Sequence, residues 1–198
     1  KNANPKEIYA ADFAGGAFRN QYGTDGELSD SWTSITVGVT TADVYDLLPL
    51  PHGNTLRSMI FAASSNGIYS APMNGSEDEG ALEPRLNMPW TAPRTGGSGV
   101  KLTSLAVDDS RDPAHLWAGS SHQSIYMSED AGATWFNVTR GLDNANIQDL
   151  AVDTRGDTAV VFAATLGGVY RSEDRGASWK KMSDAVGGGT GPHYYQEL

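Results

Sequence analysis

The chain has 198 residues, 39% hydrophobic and 19% charged, enough for one domain with a substantial core. With 24 acidic against 14 basic side chains its net charge is −10, which disfavours nucleic acid or an anionic membrane as partner, because phosphate recognition needs a basic face. It has no cysteine, which excludes disulfides and thiolate zinc sites, and no apolar run approaches the roughly 20 residues of a membrane-spanning helix.

In chain order, the first apolar segment is Ile8-Tyr9-Ala10, followed by "FAGGAFRN" (13–20) and, further on, "SW" at Ser31-Trp32. The next unit opens with "VYDLLPL" (44–50) and continues through Ile60-Phe61-Ala62 and Ile68-Tyr69 to "SEDEGALE" (76–83). The third has "LTSLAVDD" (102–109), Leu116-Trp117-Ala118, "SIYM" (124–127), "SEDAGATW" (128–135) and "WFNVTRG" (135–141). The fourth has "IQDLAVD" (147–153), Val161-Phe162-Ala163, "GVYR" (168–171), "SEDRGASW" (172–179) and "WKKMSD" (179–184). The four anchor triplets stand 52, 56 and 45 residues apart. Short apolar-aromatic runs bounded by Gly, Asn, Asp and Ser are strand signals, and no 3.6-residue periodicity predicts a helix. Each unit is therefore expected to hold four short strands. The predicted fold is all-β, a β-propeller of four-stranded antiparallel blades, about four in this chain. A single propeller region spans 1–198, with blades near 1–43, 44–99, 100–146 and 147–191, and 192–198 opening a further or closing blade.

The phrase S-x-D-x-G-x-[ST]-W is complete twice, at Ser128, Asp130, Gly132, Thr134, Trp135 and at Ser172, Asp174, Gly176, Ser178, Trp179. It is degenerate at Ser76, Asp78 and Gly80, where Glu83 stands in place of tryptophan. In the first unit only Ser31-Trp32 survives, with Glu27 and Ser29 at the aspartate and glycine places. The pattern fits a hairpin between third and fourth strands. An aspartate accepts backbone N–H groups and closes the loop from inside, the glycine supplies positive φ, and the tryptophan wedges between sheets. Asp130 and Asp174 are expected to be structural, because a reagent is needed once and these occur at spaced copies.

These phrases resemble the Asp-box (BNR) repeat of sialidase-like β-propellers, a group that includes sialidases, xyloglucan-cleaving glycoside hydrolases, the sortilin (VPS10) ectodomain and a photosystem II assembly factor. The resemblance implies the fold, places the boxes on outer turns away from the active face, and implies no activity. Asp-box propellers usually have six or more blades per ring. The terminal "QEL" (196–198) resembles "QDL" at Gln148–Leu150, so the last residues either complete the first blade in a closed ring or open another blade of a longer one.

Sialidase chemistry would need an F-R-I-P type motif, and "EPRLNMP" (83–89) is a poor substitute. Gly15–Arg19 is similar to the G-G-A-[YF]-R run that follows a catalytic aspartate in xyloglucanases. Here Asp12 stands one position too early, with Phe13 in its place, and one residue of slip turns a strand side chain to the opposite face. Asp12 is the candidate catalytic residue, and a hairpin common to all four blades is its structural alternative. His52, His115, His122 and His193 lack metal-ligand spacing, and no metal or other cofactor is expected. "NGS" (74–76) and "NVT" (137–139) have the form of glycosylation acceptors. Trp90, outside the boxes and inner strands, is the candidate ligand surface. The expected function is a non-catalytic scaffold for a protein or carbohydrate partner, with a glycoside hydrolase fragment or an assembly factor as alternatives. The family resemblance, the lack of cysteine and the lysine-poor composition point to an extracytoplasmic location.

Overall fold

The computed structural model describes residues 7–12, 16–22, 26–35, 43–50, 59–75, 82–84, 91, 99–122, 124–142 and 146–183. They form four antiparallel sheets in chain order and no helix. Sheet I contains β1 (Glu7–Asp12), β2 (Gly16–Gln21) and β3 (Thr33–Ser34). Sheet II contains β4 (Val44–Leu50), β5 (Met59–Ser64), β6 (Gly67–Gly75) and β7 (Leu82–Pro84). Sheet III contains β8 (Leu102–Asp108), β9 (His115–Ser120), β10 (Ser124–Ser128) and β11 (Phe136–Asn137). Sheet IV contains β12 (Ile147–Asp153), β13 (Val160–Thr165), β14 (Gly168–Ser172) and β15 (Lys180–Ser183). Strands pair in sequence order within every sheet, so each is an up-and-down blade of a β-propeller.

Sheet I departs from the four-stranded expectation. Its β1 and β2 occupy the register of β5 and β6, so among the described residues it lacks the first strand that β4, β8 and β12 supply. Residues 192–198, expected to begin a closing or further blade, lie outside the described residues.

Alternation along the strands decides which side chains meet. In β9, Leu116 and Ala118 face one way while Trp117 faces the other, and all three are fully buried because sheet III is covered on both faces. The leading face of each sheet carries a small-aromatic pair: Ala62 opposite Tyr69, Ala118 opposite Tyr126, Ala163 opposite Tyr170. The trailing face carries the middle residue of the anchor triplet. Three apolar clusters result, each spanning two consecutive sheets. Ala17 and Ile35 meet Val44, Ile60 and Ala62 between sheets I and II. Phe61, Ala63 and Ile68 meet Leu116, Ala118 and Trp135 between II and III. Trp117, Ile125 and Met127 meet Val161, Ala163, Tyr170 and Trp179 between III and IV. The core is thus divided among the interfaces, as in repeat architectures where each unit packs on its neighbours.

The first strands are tied across sheets by side chains. Asp46 Oδ2 accepts from Leu105 N at 2.7 Å, joining β4 to β8, and Thr103 Oγ1 donates to Ile147 O at 2.8 Å, joining β8 to β12. Register irregularities fall at matching places in β4, β8 and β12, beside Asp46, Ser104 and Asp149. Such bulges re-aim a side chain out of the ladder.

Candidate functional site

The Ser, Asp and Gly of the two complete boxes make the same set of bonds. Ser128 Oγ donates to Asp130 Oδ1 at 2.8 Å and accepts Gly132 N at 2.8 Å. Asp130 further accepts Thr134 N at 2.8 Å and Thr134 Oγ1 at 2.6 Å. In the second box Ser172 Oγ donates to Asp174 Oδ1 and accepts Gly176 N, both at 2.7 Å. Asp174 accepts Ser178 N at 2.8 Å and Ser178 Oγ at 2.6 Å. Burial by itself would raise both carboxyls, but bonds from Thr134 and Ser128 hold Asp130 below its ordinary value, and bonds from Ser178 and Ser172 do the same for Asp174. Both therefore stay ionised and engaged within their own turns.

The backbone explains the glycines. Gly132 has φ 86° and Gly176 φ 99°, and each follows a residue that is itself left-handed, Ala131 at 53° and Arg175 at 60°. Two successive positive φ values make a turn tight enough for Ser Oγ to reach the glycine N–H. The left-handed alanine and arginine carry no signal in the phrase, since that position varies between the copies.

Each box leans on the sheet before it. A Cβ on Gly132 would stand 2.2 Å from Phe61 Cε1, and one on Gly176 would stand 2.9 Å from Val138 Cγ2 and 3.7 Å from Trp117 Nε1. Trp117 Nε1 donates to Arg175 O at 3.0 Å, and Trp179 Nε1 donates to Val138 O at 2.8 Å. Trp135 Nε1 instead donates to Gly132 O at 3.1 Å, within its own turn. Trp135 is 4% and Trp179 7% exposed, whereas Trp32, at the same place in sheet I, is 46% exposed.

The remaining candidates scatter. Asp12 is exposed at the end of β1, opposite Gly16, at the mouth of a hairpin. His115 is buried edge-on to Trp117, with ring centroids 6.4 Å apart, and burial lowers its pKa. His122 is exposed and its Nδ1 lies 3.3 Å from Ser121 Oγ. Asn137 Oδ1 accepts Thr139 N at 3.1 Å. Ser76, Asp78, Gly80 and Trp90 lie outside the described residues. Among the described residues no group of three or more His, Asp or Glu side chains is placed to hold a metal ion.

The sequence did not single out one pair of carboxylates. Asp46 is half-buried, and burial pushes its carboxyl up against the opposing bonds from Leu105 N and Leu47 N, with the charge of Asp149 adding to the rise. Asp149 is exposed on β12, and its Oδ1 accepts Leu150 N at 2.8 Å. The signal was present as Asp-Leu at equivalent places in "VYDLLPL" and "IQDLAVD", with Ser104 between them in the series.

A shallow cavity of about 450 Å³ opens on sheet IV, lined by Arg171, Glu173, Asp174, Ser178, Lys180 and Met182. Arg171 Nη1 pairs with Glu173 at 2.7 Å on its rim.

No protein-family model and no curated protein matches this chain. Solved structures do. An ancestral GH74 enzyme matches with TM-score 0.55 and 16% identity over 93% of this chain and 25% of its own. The GH74 enzyme of Niastella koreensis matches with TM-score 0.54 and 18% identity over 90% of this chain and 24% of its own. BBS1N, solved in complex with ARL6DN, matches with TM-score 0.52 and 14% identity over 92% of this chain and 56% of its own. The chain thus spans about a quarter of the length of the two GH74 enzymes. At these identities the likeness is one of fold, and the class it defines together with the four sheets is the all-β propeller.

Proposed function

We propose that this chain is the scaffold part of an extracytoplasmic propeller of Asp-box type, presenting its loops to a carbohydrate or protein partner without supplying a catalytic pair. The observation that carries this reading is the engagement of Asp130 and Asp174: each accepts three bonds from its own turn, so both carboxylates are already held as turn acceptors. Propeller sheets give a rigid frame and leave recognition to loops. The GH74 likeness makes polysaccharide the first partner to test. Purified protein incubated with xyloglucan, mixed-linkage β-glucan and sialosides is expected to release no sugar, and native gels containing each polysaccharide are expected to retard it. Sugar release that Asp12→Asn or Asp46→Asn abolishes would overturn the scaffold reading.

A second reading, a glycoside hydrolase fragment, is favoured by Asp46 and Asp149. Glycosidases set one carboxyl with a raised pKa against an ionised partner, the raised one acting as acid. Asp46 is raised by burial and by Asp149, although both of its oxygens already accept backbone N–H groups. Under this reading Asp46→Asn and Asp149→Asn each remove sugar release, and Asp46→Asn also lowers stability by about 1–3 kcal/mol, because its amide NH2 would face one of the two backbone N–H groups that Asp46 accepts. A wild-type protein that releases no sugar refutes it.

A further inference from the structure

One repeat position holds a methionine in the seam between sheets II and III and a histidine in the seam between III and IV. Met59, His115 and Val160 pair with Leu50, Asp108 and Asp153 across the first two strands of their sheets, so they are equivalent. Side chains two residues apart on a strand share a face. Met59 therefore lies with Phe61, and His115 with Trp117, on the trailing face against which the next glycine turn rests. Met59 packs into the apolar cluster of its seam. The next seam has an imidazole instead.

His115 stands edge-on to Trp117, and its Nδ1 is buried without a hydrogen-bond partner. Trp117 is the seat of the second box, since its Nε1 donates to Arg175 O at 3.0 Å. Beside it Arg175 Nη1 pairs with Glu129 at 3.2 Å and ties the two boxes together. Four charged groups act on His115: Asp108 at the end of β8, Arg111 in the turn after it, Glu129 in the first box and Arg175 in the second. The two carboxylates are already engaged, Asp108 by Ser110 and Arg111, and Glu129 by Arg175. A proton on the ring would make Nδ1 a donor with no acceptor, and Arg111 and Arg175 would add like charge. Hydrating that N–H requires the trailing face of sheet III to part from sheet IV, because His115 lies on that face.

We propose that the seam between sheets III and IV is an acid-operated hinge, in which protonation of His115 parts Trp117 from the second box while the seam between sheets II and III stays shut. Burial lowers the pKa of His115, so the closed seam holds the neutral ring and the open seam takes up the proton. The hinge therefore loosens as the pH falls below the ordinary histidine value near 6.5. Asp46, which joins β4 to β8, has its carboxyl raised by burial, so acidification favours the closed form of the II–III seam. The hinge is independent of any ligand or activity.

The test uses thiol labelling of the full chain. The protein has no cysteine, so a single introduced thiol reports on one seam. Ala163 and Ala118 are equivalent, fully buried positions, the first in the III–IV cluster and the second in the II–III cluster. Each is changed to cysteine, and its labelling rate with dithiodipyridine is divided by that of the urea-unfolded chain at the same pH. From about pH 7.5 to about pH 5.5 the ratio for Ala163→Cys is expected to rise several-fold. About tenfold is the ceiling for a histidine that takes its proton only in the open form. The ratio for Ala118→Cys is expected to change by less than about twofold. His115→Met, which installs the residue of sheet II, and His115→Gln should each remove the rise at Ala163→Cys. Val161→Cys and Leu116→Cys, in the same two clusters, repeat the comparison should either first thiol cost the protein its β circular dichroism. A rise at the III–IV thiol no larger than at the II–III thiol overturns the proposal. So does a rise that survives both His115 variants.

Discussion

Replacing Gly132 by alanine isolates the contact that fastens sheet III to sheet II. Two costs add. A residue other than glycine at φ 86° costs roughly 1–2 kcal/mol. The new Cβ would also meet Phe61 Cε1 at 2.2 Å and Cζ at 2.6 Å, inside a cluster with no room, for about 1–3 kcal/mol of overpacking. The expected loss is roughly 2–5 kcal/mol, a large part of the 5–15 kcal/mol typical of a domain. Gly26 is the control. Its φ is 83°, nearly the same, but no atom lies within 4 Å of its virtual Cβ, so Gly26→Ala should cost only the backbone share, about 1–2 kcal/mol. Urea unfolding followed by tryptophan fluorescence measures both. Phe61→Leu removes the ring carbons that clash, so the double variant should recover about 1–2 kcal/mol relative to the sum of the singles. Equal losses for Gly132→Ala and Gly26→Ala, or strict additivity with Phe61→Leu, would refute the reasoning.

Other outcomes follow from the same geometry. Asp130 and Asp174 have lowered folded-state pKa values, so each contributes stability that is complete above the unfolded value near 3.9 and is lost as the pH falls through the lower folded value. Asp130→Asn should therefore lower stability at pH 7 by about 1–3 kcal/mol and flatten the acid limb of the unfolding curve, which a pH series of melts reads directly. His115, whose pKa burial lowers, is held neutral in the fold, so stability should begin to fall as the pH drops below about 6.5, and His115→Gln should remove that component. Trp179→Phe keeps most of the apolar volume but removes the bond to Val138 O, for an expected loss of about 1–2 kcal/mol in chemical unfolding. Arg155 lowers the pKa of Asp153 to about 2, and their ion pair stands at the surface with the arginine side chain 90% and the aspartate 31% exposed, so Asp153→Asn should leave the melting temperature essentially unchanged.

The four-sheet plan was legible because its determinants are local. Strand alternation, turn residues and the recurrence of "SED-x-G-x-[ST]-W" each lie within about ten residues of chain, and β9, β10 and β11 fall where Leu116–Ala118, "SIYM" and "WFN" predicted them. Features that join distant segments were not legible. Nothing near Gly132 indicates that Phe61, 71 residues earlier, fills the space beside it, although both recur with the repeat and that co-periodicity was a usable signal. The link from Asp46 to Leu105 N depends on a bulge that aims the carboxylate out of its own ladder, and alternation alone predicts no bulge.

Each glycine turn rests on the aromatic of the blade synthesised before it, Gly132 on Phe61 and Gly176 beside Trp117. That polarity gives the molecule a direction of manufacture. A nascent chain leaving the ribosome meets a finished seat for each of these two turns, whereas shortening from the front strands a turn with nothing beneath it. Deleting sheet IV should therefore bare the Trp117 face yet leave the Gly132 turn seated, whereas deleting sheet II should unseat that turn as well.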